Sequence, residues 1–331
     1  MGERTTNNTN GYRVNKLRGL VIAAYGRHYL AELPDGEILE CVPRGKKSDT
    51  ACGDTVEIER TSADQAVIDS IAPRSTLLYR SDAYKQKIIA ANVTQIIVVV
   101  ATEPSFNDEL LARCLIAAHD QNLETLIVLN KCDLPQIEAA RAQLAPYRKI
   151  GYRVLELSAK QDVAPLLPYL QGHTSVLVGQ SGMGKSTLIN ALIPDALAAT
   201  REISTVLDSG KHTTTHARLY HLNAGATATR YREAADCGSS RETPLPHQEA
   251  PPHRVGASTI IDCPGVQLFG LHHLDFAAIE RSFPEFLPYL GQCRFANCSH
   301  SHEPDCAIRK ATEEGKIDQR RLKLFQQITG K

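Results

Sequence analysis

The chain has 331 residues, 42% hydrophobic and 22% charged, the balance of a soluble globular protein with room for two or three domains. Its 37 Lys and Arg cancel its 37 Asp and Glu, which excludes a uniformly basic nucleic-acid binder and leaves any cationic surface local. No apolar run approaches the roughly 20 residues of a membrane span, and the polar start MGERTTNNTNG lacks a signal-peptide core, so the expected location is cytoplasmic, away from membranes. Nine cysteines, an odd number without a paired framework, fit a reducing compartment.

In chain order, residues 1–11 read as a disordered polar tail. Residues 12–73 hold four or five short β-like runs (GLVIAAYGRHYLAEL, EILECV, DTVEIE, QAVIDSI) separated by Pro-Asp-Gly, a basic loop with Arg44, Lys46 and Lys47, and a polar link. That spacing predicts a small β-barrel, and pattern alone leaves an SH3-like barrel open. From residue 81 to 272 the rhythm changes. TQIIVVVAT is a continuous apolar run, suited to a buried parallel strand. LLARCLIAAHDQN puts Leu111, Cys114, Leu115 and Ala118 on one helical face. TLIVLN, IEAARAQLAPYRKI, YRVLELS, SVLVG, STLINAL, ARLYHL and STIIDC follow. Strands alternating with helices predict a doubly wound α/β layer, with ligands at the carboxyl ends of the strands. Residues 223–257, rich in Ala, Pro, Ser and charge, read as a flexible insertion. Residues 273–331 read as a small helical segment around a Cys/His cluster, with a basic tail of Arg309, Lys310, Lys316, Arg320, Arg321 and Lys323.

The strongest chemical signal is GQSGMGKS, a complete GxxxxGKS phosphate loop. Gly179, Gln180, Ser181, Gly182, Met183 and Gly184 would close backbone N–H groups around phosphate oxygens. Lys185 would reach the β- and γ-phosphates, and Ser186, followed by Thr187, would bring its hydroxyl to Mg²⁺. NKCD (Asn130, Lys131, Cys132, Asp133) ends a strand upstream of it. The Asp133 carboxylate can accept from guanine N1–H and N2–H₂ together, a donor pair that adenine lacks. SAK (Ser158, Ala159, Lys160) follows one strand–helix unit later; the Ala159 N–H would meet guanine O6, and Asn130 would bond the base edge and tie loops together.

DCPG supplies Asp262 as a direct or indirect Mg²⁺ holder and Gly265 as a γ-phosphate sensor. Between the phosphate loop and DCPG, the HTTT run offers Thr214 or Thr215 as the switch threonine for Mg²⁺ and the γ-phosphate. Val266 stands where Ras-like enzymes carry a water-orienting Gln and can do no such work. Gln267, His272 and His273 are close in sequence, and His273 is the chosen water-positioning candidate. The guanine motifs precede the phosphate loop, the reverse of a Ras-type chain, which points to a circularly permuted GTPase.

CRFANCSHSHEPDC has Cys293, Cys298, His300 and Cys306 spaced C-x4-C-x-H-x5-C. Three thiolates and an imidazole suit a closed structural zinc site, one ion per chain, with His302 a competing fourth ligand.

In the order NKCD, SAK, GQSGMGKST, GKHTTT, DCPGVQLFGL and CRFANCSHSHEPDC, these motifs closely resemble those of the ribosome small subunit-dependent GTPase A family (RsgA, also YjeQ), from about residue 17 to the end. The resemblance implies an RNA-binding OB-fold, a permuted GTPase domain and a C-terminal zinc domain. It also implies GTP hydrolysis in late maturation of the small ribosomal subunit, contact with its rRNA, and release after hydrolysis. A monomeric chain is expected. The family's zinc ligands map to Cys293, Cys298, His300 and Cys306, and its GTP ligands to 130–133 and 179–187. Two departures stand out: the long insertion at 223–257, and Cys263 in place of Thr or Ser in the D-x-P-G motif.

Overall fold

The computed structural model describes residues 16–45, 49–81, 86–193, 217–222, 258–263 and 270–330. Lys46, Lys47, Thr214, Thr215, Gly265, Val266, Gln267 and the insertion at 223–257 lie outside the described residues.

Five strands build the N-terminal barrel: β1 (Lys16–Tyr25), β2 (His28–Glu32), β3 (Ile38–Pro43), β4 (Thr55–Arg60) and β5 (Gln65–Ile71). β2 to β5 alternate buried with more exposed residues, whereas β1 buries Val21, Ile22 and Ala23 in a row. In β4, for example, Val56 and Ile58 are buried while Glu57 faces out. The spatial order is β1-β2-β3-β5-β4, and β4 pairs back onto β1, from Lys16↔Glu59 to Leu20↔Thr55. β3 and β5 run parallel and the other pairs antiparallel. This closed arrangement is the OB-fold and settles the choice that the sequence pattern left open. Within the barrel the long β1 serves both β4 and β2, with a register shift between Val21 and Ala23. Its core is Val21, Tyr29, Leu39, Cys41, Val56, Ile58 and Ile68 with smaller residues.

A hairpin, β6 (Leu77–Ser81) and β7 (Gln86–Ala91), follows; nothing in the hydrophobic pattern announced it. The α/β layer contains β8 (Gln95–Ala101), α1 (Asp108–Asp120), β9 (Glu124–Asn130), α2 (Ile137–Lys149), β10 (Val154–Glu156), the one-turn α3 (Leu167–Leu170), β11 (Thr174–Val178), α4 (Lys185–Leu192), β12 (Arg218–His221) and β13 (Thr259–Asp262). Its strand order is β10-β9-β8-β11-β13-β12, with β12 antiparallel and the rest parallel. The phosphate-loop strand β11 is therefore central, although three strands of the same layer precede it in the chain. All seven residues of β8 are buried, as its unbroken apolar run requires. The layer is continuous with the barrel, because β12 pairs with β1 at Ala23↔Arg218.

The C-terminal segment contains α5 (Phe276–Arg281), a 3₁₀ turn over Pro284–Tyr289, α6 (Ala307–Glu313) and α7 (Gln319–Thr329). Phe283, Phe286 and Phe325 pack with ring centroids 5.0–5.3 Å apart. Arg321 pins this segment to the α/β layer. It donates to Glu285 at 2.6 Å and lies over the Tyr147 ring of α2, 4.9 Å from its centroid. Arg320 pairs with Asp108, the first residue of α1. The basic tail read from the sequence is thus partly spent inside the molecule.

Candidate nucleotide cleft and metal centre

A cleft of about 740 Å³ opens at the carboxyl ends of β8, β9, β11 and β13, within the range for a nucleotide-sized ligand. Asn130, Lys131, Asp133, Ser158, Ala159, Lys160, Ser181, Gly182, Gly184, Lys185, Ser186, Thr187 and Asp262 all line it, so motifs far apart in the chain share one space.

The phosphate loop needs its glycines. Gly179, Gly182 and Gly184 all have positive φ. A Cβ on Gly179 would lie 2.2 Å from the Val99 carbonyl oxygen, and one on Gly184 would lie 2.3 Å from Asn130 Nδ2. Gly184 caps α4, which starts at Lys185 and directs its N-terminus at the cleft. Lys185 Nζ donates to the carbonyls of Gly179 at 2.6 Å and Gln180 at 2.9 Å. Burial pushes this ammonium below its usual pKa. A phosphate oxygen would return to it the counter-charge that burial withholds.

Asn130 is 2% exposed and bonded on both sides. Its Nδ2 donates to Met183 O at 2.9 Å, and its Oδ1 accepts from Ala159 N at 2.9 Å. The loop-tying role expected of Asn130 is therefore what the structure contains. Those two bonds occupy both polar atoms of the Asn130 side chain, and the Ala159 N–H, expected at guanine O6, points at Asn130 Oδ1. Lys131, held at φ 61°, donates from Nζ to Glu103 O at 2.5 Å and Gly182 O at 2.7 Å. Its stem thus crosses from the guanine-side loop to the phosphate loop. Asp133 is exposed at the cleft, and the Ser158 hydroxyl, followed by backbone N–H donation, holds its carboxyl below the usual range. An ionised acceptor is what a guanine edge needs.

Three side chains placed in the site by their motifs face away from it. Gln180 Oε1 accepts from Asn107 N at 2.7 Å and braces the N-terminus of α1. Met183 is 1% exposed and packs in the core. Cys132 Sγ is directed at Leu129 O, 3.1 Å away.

At the end of β13, Asp262 is 8% exposed, and burial raises its pKa to about 6 against the pull of Lys185. The Ser186 hydroxyl and this carboxylate are hard oxygen donors on one wall of the cleft, a set that fits Mg²⁺. His273 is not in the cleft lining. Its Nε2 lies 3.4 Å from Asp120 Oδ2, and its ring 5.6 Å from that of Tyr79. Asp120 ends α1, roughly 18 Å of helix from the end that touches the phosphate loop. In this arrangement His273 is a partner of α1, and the water-positioning role read from the sequence is carried forward as a proposal.

The second constellation is tighter. The ligand atoms of Cys293, Cys298, His300 and Cys306 all lie within 4.8 Å of one another. Cys293 Sγ and Cys306 Sγ are 3.9 Å apart, and His300 Nδ1 is 3.3 Å from Cys306 Sγ. Tetrahedral zinc with bonds of about 2.3 Å to sulfur and 2.0 Å to nitrogen has edges of about 3.5–3.8 Å, within a few tenths of an ångström of these two distances, so the donor set is compatible with the ion. His302 is exposed and outside the cluster, which removes it as the competing ligand. His300 Nε2 meets Glu280 Oε1 at 2.5 Å. A carboxylate there fixes the tautomer that leaves Nδ1 for metal. Glu280 lies on α5, too far along the chain from His300 for any spacing rule to have found it.

Comparison with known proteins bears on the nucleotide cleft. The family model for the RsgA GTPase matches residues 71–229. A small ribosomal subunit biogenesis GTPase RsgA of Nitrosospira multiformis is 51% identical over 313 residues, 94% of this chain and 90% of that one. The chain belongs to the RsgA GTPase family. An RsgA of Paraburkholderia phymatum is 50% identical over 320 residues, covering 95% of this chain and 91% of its own. Among solved structures, YjeQ from Thermotoga maritima superposes with a TM-score of 0.64 at 26% identity, covering 95% of this chain and 97% of that one. YloQ, described as a circularly permuted GTPase, shares the fold at a TM-score of 0.60 and 22% identity, over 98% of this chain and 97% of its own. As an RsgA GTPase the chain is a GTP-hydrolysing enzyme, and the strand order around β11 is its permutation seen in space.

Proposed function

We propose that this GTPase acts on the small ribosomal subunit during its biogenesis, binding the subunit's rRNA and hydrolysing GTP to GDP and phosphate. The observation that carries the reading is the single cleft shared by the guanine-side loops and the phosphate loop, in a chain about half identical to relatives named for small-subunit biogenesis. Asp133 selects guanine, Lys131 braces the loop beneath the base, and Gly179 to Thr187 hold the phosphates. Ser186 and Asp262, with Thr214 or Thr215, hold Mg²⁺, and Gly265 follows the γ-phosphate. When bound, Mg²⁺ supplies charge neutralisation between the β- and γ-phosphates. Zinc, one ion per chain, rests on Cys293, Cys298, His300 and Cys306 and keeps the C-terminal segment folded. The protein works as a cytoplasmic monomer.

No helix among the described residues is long and apolar enough to cross a membrane. The deciding experiment is phosphate release from GTP with purified small subunits, large subunits and neither. Acceleration by small subunits alone supports the reading, and equal rates in all three reject it.

A further inference from the structure

The loop between the first two zinc ligands is Arg294, Phe295, Ala296 and Asn297, and all four are exposed. Its ends are fixed by Cys293 and Cys298, and a turn closes it where Cys298 N donates to Phe295 O at 3.2 Å. Phe295 stays 40% exposed on this short loop. The Arg294 guanidinium carbon lies 5.5 Å from the Phe295 ring centroid, and its far edge pairs with Asp305 at 3.1 Å in an equally exposed position. A flat ring, a cation beside it, a small residue and an amide thus stand together on one metal-braced tip.

We propose that this tip is a stacking platform for an unpaired RNA base: Phe295 takes the base face, Arg294 the adjoining phosphate or second face, and Asn297 the base edge. An exposed aromatic flanked by a guanidinium is how single-stranded RNA is gripped without a groove. A basic or apolar protein surface would gain little from Arg294. Bracing matters because an aromatic already ordered by the metal loses little conformational freedom on binding. The inference rests on the proposed rRNA contact and locates part of it.

The test uses the full zinc-loaded chain with a non-hydrolysable GTP analogue and purified small ribosomal subunits. Phe295→Ala is expected to weaken subunit binding about 5- to 100-fold, with intrinsic GTP hydrolysis and zinc content unchanged. Phe295→Tyr should restore binding and Phe295→Leu should not. Restoration by Leu would overturn stacking in favour of an apolar protein contact, and undiminished binding by Phe295→Ala would overturn the site. If the wild-type chain neither binds subunits nor is stimulated by them, the ribosomal reading falls and this site falls with it. Loss of binding confined to Phe295→Ala separates the two.

Discussion

The Asn130 side-chain amide donates to the Met183 carbonyl at 2.9 Å, so one buried hydrogen bond joins the guanine-side loop to the phosphate loop. The same amide accepts from Ala159, and a third loop is held with them. Asn130→Ala would leave a buried carbonyl and a buried N–H without partners, at a cost of about 1–3 kcal/mol for each exposed deficit. The expected result in urea denaturation is a lower midpoint for the nucleotide-free chain, with weaker binding of both GTP and GDP. Asn130→Asp should do no better, because a carboxylate cannot donate to Met183.

Nucleotide choice is expected to follow Asp133. Asp133→Asn replaces an acceptor pair with a mixed donor and acceptor, which matches xanthine and mismatches guanine. GTP affinity should fall about tenfold or more while that for xanthosine triphosphate rises. Titration with fluorescent analogues of each checks this, and unchanged GTP affinity would remove Asp133 from the base site.

The zinc site predicts a role for a residue that is not a ligand. Glu280 accepts from or shares a proton with His300 Nε2, so Glu280→Gln should weaken zinc about 10- to 100-fold. Competition against a chromophoric chelator reads this directly. Cys298→Ser should lose the ion and loosen the C-terminal segment, as seen by proteolysis there.

These two centres show what the sequence carried and what it did not. GxxxxGKS, NKxD and the Cys/His run are local strings whose chemistry is set by spacing, so Lys185, Asp133 and Cys306 were readable as text. Strands such as β8 were readable because burial on both faces writes an unbroken apolar run. The partners across the fold were not: Glu280 with His300, Gln180 with Asn107, and Ala23 beside Arg218 arise from tertiary geometry that leaves no periodic trace. The β6–β7 hairpin escaped because its residues mix polar and apolar without alternation. Proximity to DCPG in the sequence put His273 forward, but its contacts with Asp120 and Tyr79 join distant elements that no local pattern names.

Asp262 ties stability to function. Its folded pKa, about 6, is raised above the ordinary 3.8 by burial, so the folded state holds the proton more tightly than the unfolded one. Above about pH 6 the folded chain must bury a carboxylate, and that penalty is full. It fades as pH falls from about 6 and is gone near 4. Asp262→Asn removes it, so the nucleotide-free variant should be more stable than wild type at pH 7.5, by at most about 3 kcal/mol. The gap should narrow through pH 5 and close near pH 4. GTP hydrolysis should be lost at every pH, since the amide cannot replace the carboxylate at Mg²⁺. A variant no more stable at pH 7.5 would show that Lys185 already compensates the charge.

The free chain is expected to hydrolyse GTP slowly. Val266 offers no group to orient water, and His273 rests against Asp120 and Tyr79 at the far end of α1. P-loop GTPases that lack an in-place water-orienting group gain about 10³–10⁵ when a partner completes the site. Small subunits should therefore accelerate phosphate release by a large factor and large subunits should not. If the subunit draws His273 to the γ-phosphate, His273→Ala keeps nucleotide affinity and the slow basal rate but loses most of the stimulation. Asp120→Ala, which removes the resting partner, should keep the stimulation. Lys185→Ala should lose phosphate binding and turnover together. Full stimulation in His273→Ala would assign the water to Gln267, to a switch threonine or to a group on the subunit, and would leave the histidine as a brace for α1.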